Sequence, residues 1–131
     1  IMAITAVAPR GGMTETIGDA SYVLILRNRE IERFEDTHRG IFDVWDGFFG
    51  RTTKPSSKEV KDLVALGLVG GGKKDEEADR IVENAGPSEL LQFYAIAQAV
   101  LGVAFMPEAF EATETKKKAK SPRPKSLKSV S

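Results

Sequence analysis

The apolar positions between Pro55 and Gly72 fall at helical spacing, with Val60, Leu63, Val64 and Leu66 forming a wide stripe. Ser56, followed three residues later by Glu59, is the pattern of a reciprocal cap: the hydroxyl satisfies an orphan amide and the carboxylate reaches back to the cap's own N–H. Gly70, Gly71 and Gly72 predict the stop, because successive glycines enter positive φ without a Cβ penalty. This segment reads as a packing element and contains no recognisable chemistry.

The flanking patterns complete a mostly helical plan. Ser21 to Leu26 is rich in β-branched and aromatic residues and predicts a strand, and Ile4 to Val7 predicts its hairpin partner across a long glycine-containing loop. Asn28 is the expected N-cap of a helix over Arg29 to His38, with Ile31 and Phe34 on one face and Glu30, Glu32, Glu35 and Asp36 on a solvated remainder. After Gly40, the residues Ile41, Phe42, Trp45, Phe48 and Phe49 are expected on one side of a short second helix, opposite Asp43 and Asp46. Asp75 is the expected cap of a helix to Ala85, burying Ala78, Ile81 and Val82. The longest helix, Ser88 to Phe105, follows Gly86-Pro87 and stops before Pro107. Leu90, Leu91, Phe93, Tyr94, Ala97, Val100, Leu101, Ala104 and Phe105 make it apolar over more than half its circumference, more than a single domain is expected to cover. The expected fold is α+β and mostly α: a short strand or hairpin packed on a bundle of about five helices. Residues 1–20 form an N-terminal segment with at most one strand, 21–107 the helical domain, and 108–131 a disordered basic tail.

Charge changes this picture only at the C-terminus. The net charge of zero conceals a segregation: Lys116, Lys117, Lys118, Lys120, Arg123, Lys125 and Lys128 meet no acid after residue 115, which leaves an acidic body with a basic tail. That tail lacks interleaved aromatics, so nucleic acid would bind it by charge alone, weakly and salt-sensitively. The chain has 131 residues, 41% of them hydrophobic and 29% charged, which suits one domain with a modest core. No apolar run approaches the roughly 20 residues of a bilayer span, and no leader pattern opens the chain, so the expectation is a soluble protein of the cytoplasm.

Candidate chemistry falls away residue by residue. Zero cysteines exclude disulfides and thiolate metal sites, and His38, the single histidine, excludes a multi-histidine one. As a general base His38 would need Glu35 or Asp36 to orient it, and its place at a helix end suits a structural role better. Gly70-Gly71-Gly72-Lys73-Lys74 has the composition of a phosphate loop in the wrong order, after a helix and with no Ser or Thr behind the lysine. Ser56 and Ser57 lie in no nucleophile elbow. The expectation is no enzyme, no cofactor and no metal.

The order Arg29-Glu30-Ile31-Glu32, Phe34-Glu35-Asp36, Gly40-Ile41-Phe42-Asp43-Val44-Trp45-Asp46, Phe48-Phe49-Gly50-Arg51, Val60 to Gly72, and Ala95 to Phe105 resembles the tail assembly chaperone family of gene transfer agents and siphophage-like prophages. The likeness covers Ser21 to Pro107. It implies a non-catalytic protein of the host cytoplasm, absent from the mature particle, that coats the helical tape-measure protein in many copies until tail-tube subunits displace it. A tape measure is an extended helix with apolar stripes, and covering it calls for an exposed apolar groove. The groove is expected among Phe42, Trp45, Phe49, Phe93, Tyr94, Val100, Leu101 and Phe105, residues that otherwise pack together as core. The resemblance also brings Lys116-Lys117-Lys118 into view, since lysine codons can form the slippery run of a programmed ribosomal slip. A second reading is a generic helical interaction module whose basic tail engages nucleic acid.

Overall fold

The computed structural model describes residues 8–109. The expected strand at Ile4 to Val7 and the basic tail from residue 110 lie outside them. The hairpin pairs β1, Gly12–Ile17, with β2, Ala20–Ile25, antiparallel. The partner of β2 is therefore its immediate neighbour in sequence, and the long-loop pairing with Ile4 to Val7 is corrected. The turn is Gly18-Asp19, with Gly18 at φ +67°, the positive value that tight hairpin turns require of their first central residue. Along β1, Met13, Glu15 and Ile17 face the helices and Thr14 and Thr16 face water, the alternation of a half-buried strand.

Five complete α-helices follow among the described residues: α1 Asn28–Thr37, α2 Ile41–Phe48, α3 Ser57–Gly70, α4 Asp75–Glu83 and α5 Leu90–Phe105, the last entered through a 3-10 turn at Pro87–Glu89. The architecture is α+β and mostly helical, as the apolar periodicity predicts. The reciprocal cap on α3 is formed: Ser56 Oγ accepts from the Glu59 amide at 3.1 Å, and Glu59 Oε1 accepts from the Ser56 amide at 2.9 Å. The same carboxylate half of the motif recurs at Arg27–Glu30, Lys74–Glu77 and Gly86–Glu89, each glutamate accepting from the backbone N–H three residues before it. The caps of α1 and α4 are thus Arg27 and Lys74, one residue ahead of the expected Asn28 and Asp75. Glu30, expected on a solvated face, is fully buried in this role.

The glycine run stops α3 for a different reason than expected. Only Gly72 takes a positive φ, +117°, while Gly70 and Gly71 are glycines because α3 ends against β2. A Cβ on Gly70 would collide with the Ile25 carbonyl oxygen and one on Gly71 with that of Val23, and Gly67 sits one turn earlier against Leu24. The edge of β2 is covered by this helix end, and Arg27 donates from Nη1 to the Gly70 carbonyl at 3.0 Å.

The core lies where α3, α5 and the hairpin meet. Leu24, Phe34, Leu63, Val64, Leu68, Phe93, Val100 and Leu101 have essentially no exposure. Helix α3 is the central helix of this core, packed against β2, α1, α4 and α5; on α5, Phe93, Ala97, Val100 and Leu101 are buried, Leu90, Tyr94, Ala104 and Phe105 are half-buried and Leu91 is 83% exposed, so its broad apolar face is covered only in part. Pro87–Phe105 is also long and apolar enough to span a bilayer by length and composition. Phe93, Ile96, Ala97, Val100 and Leu101 of this helix pack into the domain core.

Candidate partner-binding surface

Helix α2 has two stripes. Ile41, Val44, Gly47 and Phe48 are buried, whereas Phe42 and Phe49 are 71% and 48% exposed and Trp45 is half-buried. The five apolar residues expected on one side are therefore divided, because adjacent helical positions lie 100° apart and the 42/45/49 stripe cannot share the direction of 41/44/48. The helix is fixed at both ends. Glu35 Oε2 accepts from the Ile41 amide at 2.8 Å, and Arg51 returns a 3.0 Å hydrogen bond to the Asp46 carbonyl through the turn at Gly50, φ +78°. Gly47 lies so close to the Thr53 carbonyl that no larger residue fits.

The outer stripe joins the end of α5 in one aromatic surface. Phe42 stacks on Phe105 with centroids 5.8 Å apart, Trp45 meets Phe105 edge-on at 5.2 Å, and Trp45 meets Phe49 edge-on at 4.8 Å. The Arg51 guanidinium lies 5.2 Å from the Phe49 centroid while pairing with Asp46 at 3.1 Å, which gives the surface a polar rim. Met106, immediately after Phe105, is 45% exposed.

Of the eight expected contact residues, Phe42, Trp45, Phe49 and Phe105 come together here. Phe93, Val100 and Leu101 are enclosed in the core and present no surface. Tyr94 is half-buried, edge-on to Phe48 at 5.0 Å, and belongs to the inner layer. Sequence reasoning missed Met106 and Arg51; the separation of the 42/45/49 positions from 41/44/48 is the signal that would have found the surface's boundary.

The polar constellations hold the framework. His38 Nε2 lies 2.6 Å from Asp62 Oδ2 on α3, and its ring stacks on Phe34 at 4.6 Å, so neither Glu35 nor Asp36 is its partner. Arg39 ties the loop before α3 to the helix start, donating to Glu59 at 2.9 Å and to the Thr53 carbonyl at 2.8 Å. Burial pushes the Glu59 carboxyl up, but hydrogen bonds from Arg39 and Ser56 and the nearby positive charge outweigh it and leave the carboxyl below its usual range. Arg33 and Asp75 form an exposed two-point pair at 3.1 and 3.2 Å across a shallow cleft of about 320 Å³, also lined by Asp36, His38, Asp62 and Asp79. Among the described residues no group of three histidine or acidic side chains is placed to hold a metal ion.

A family model described as "Phage tail tube protein, GTA-gp10" matches residues 10–107. The chain belongs to that family. The match takes in the whole hairpin as well as the helices, so the likeness reaches further toward the N-terminus than Ser21. No curated protein and no solved structure matches the chain. This is a gene-transfer-agent or phage tail-related protein, and the family is a structural one.

Proposed function

We propose that this tail-related protein is a tail assembly chaperone, which binds the tape-measure protein in the host cytoplasm and is released when tail-tube subunits polymerise. One observation supports the reading above the others: the connected rings of Phe42, Trp45 and Phe49 beside Phe105 at the end of α5, with Phe42 and Phe49 open to water on a segment held at both ends. A continuous aromatic surface with a polar rim is the form of a protein-binding site, and an apolar stripe on a long helix is the ligand it fits. Several copies side by side are needed to cover an extended partner, which makes the occupied form a homo-oligomer on that partner.

Co-expression with the tape-measure protein tests this. The wild type keeps the partner soluble and co-purifies with it, while Phe42→Ser/Phe49→Ser, which alters exposed rings only, leaves it insoluble. A double variant that retains the tape measure as well as the wild type overturns the reading. The family description favours a second reading, a subunit of the tail tube itself. Stoichiometric recovery of the protein from purified, finished particles selects the tube; recovery only from assembling cells selects the chaperone.

A further inference from the structure

The aromatic surface is bordered by carboxylates on one side only, and that asymmetry describes its ligand. At about 100° per residue, the positions around α2 run from Trp45 through Phe49 and Phe42 to Asp46 and then Asp43. The rings of Trp45 and Phe42 lie against Phe105 with centroids 5.2 and 5.8 Å away, so the two acids stand on the flank turned away from α5.

The domain leaves this acidic border incompletely neutralised. Asp43 is exposed and makes no hydrogen bond or ion pair among the described residues. Arg51 Nε and Nη2 both reach Asp46 Oδ1 at 3.1 Å, which leaves Oδ2 without a partner among the described residues on a side chain 45% exposed. Two carboxylates one helical turn apart repel each other, and a cation brought between them relieves this. Asp43 and Asp46 are separated by about 4.5 Å along the helix axis, close to the spacing of two side chains one turn apart on a helix laid alongside. From Phe42 to Phe49 the aromatic stripe covers two turns, about 10 Å.

Resting on the reading of this surface as a protein-binding site, we infer that its ligand is an amphipathic helix whose apolar stripe is bordered along one side by lysine or arginine residues one turn apart. The stripe covers Phe42 and Phe49, and the basic residues pair with Asp43 and with Oδ2 of Asp46. Such border charges choose the ligand's orientation and speed its encounter more than they deepen its affinity. A helix with acids at the same positions meets like charge and is rejected. The wider field has the same sign, since acids outnumber bases over residues 8–109.

Trp45 is the single tryptophan of the chain, so its emission reports on this surface. The full-length protein is titrated with two synthetic amphipathic peptides of about 20 residues, free of tryptophan, that share one leucine stripe and carry either lysine or glutamate along one side of it. The lysine peptide shifts Trp45 emission and binds at least about tenfold more tightly than the glutamate peptide at low salt, and the margin narrows as ionic strength rises. Asp43→Lys, a change at an exposed side chain, abolishes or reverses the margin. Equal affinities, or no shift with either peptide, overturn the inference, as does a margin that survives Asp43→Lys or binding that survives Phe42→Ser/Phe49→Ser. Emission of the protein alone that changes on dilution or on adding salt also overturns it, because a second copy or the chain's own basic residues then hold the site. Capture of the tape measure is scored separately by co-expression, so a surface that is blind to peptide charge and still solubilises that partner defeats this inference and leaves the proposed function standing.

Discussion

Gly70 and Ile25 meet backbone to backbone: the space a methyl group would need on the glycine is filled by the isoleucine carbonyl oxygen. Helix propensity alone favours Ala over Gly by about 1 kcal/mol. Here overpacking reverses the sign, and Gly70→Ala is expected to lower stability by about 1–3 kcal/mol. Urea unfolding checks this as a fall in midpoint at constant slope; an unchanged or raised midpoint contradicts the close approach.

The two stripes of α2 and the core of α5 predict opposite behaviours for aromatic truncation. Phe93→Ala, with no exposure to lose, costs about 3–5 kcal/mol and leaves the bound partner untouched only insofar as the fold survives. Phe42→Ala changes stability by less than about 1 kcal/mol and acts on partner capture instead. Trp45→Ala, half-buried between Phe49 and Phe105, falls between them at about 2 kcal/mol. Thermal melts beside the co-expression assay separate these outcomes.

Glu59 predicts a pH dependence with a definite sign. Its folded carboxyl titrates below the usual 4.5, so its contribution to stability is present above that pH and is lost as pH falls through the folded value. Glu59→Gln removes this acid-side loss and, by leaving Arg39 half-buried without its counter-charge, costs about 1.5–3 kcal/mol at neutral pH. The exposed Arg33–Asp75 pair is the contrast: Asp75→Asn costs less than about 1 kcal/mol. Denaturation at pH 7 and pH 3.5 measures both.

The helices were legible in the chain because their signals are local. Ser56 and Glu59 cap α3 as their spacing says, and Gly86-Pro87 and Pro107 bracket α5. Strand β1 was missed since only Met13 and Ile17 are strongly apolar within it, and Gly18-Asp19 looks like a boundary until Ile17 and Ala20 are seen to pair across it. The glycines of α3 and the division of α2 were illegible for another reason: both depend on what lies opposite, β2 in one case and the end of α5 in the other, and one segment's periodicity holds no record of its neighbours. The aromatic surface was half visible, with Phe42, Trp45, Phe49 and Phe105 named alongside Phe93, Val100 and Leu101, which tertiary packing conceals.

Any binding of nucleic acid by the full chain is expected to reside in the seven basic residues after Thr115 and to fall steeply between low and physiological salt. A mobility shift that persists after truncation at Thr115 would place the binding on the acidic body and contradict this.

The contact between Thr16 and Gln92 spans 76 residues, and that between Arg27 and Gly70 spans 43. The ribosome therefore releases the hairpin long before it makes the segments that shelter it. Until α3 is made β1 and β2 are an unsupported pair, and only the arrival of α5 completes their enclosure, so a nascent chain stalled before residue 90 leaves part of its sheet exposed to whatever else is being synthesised nearby.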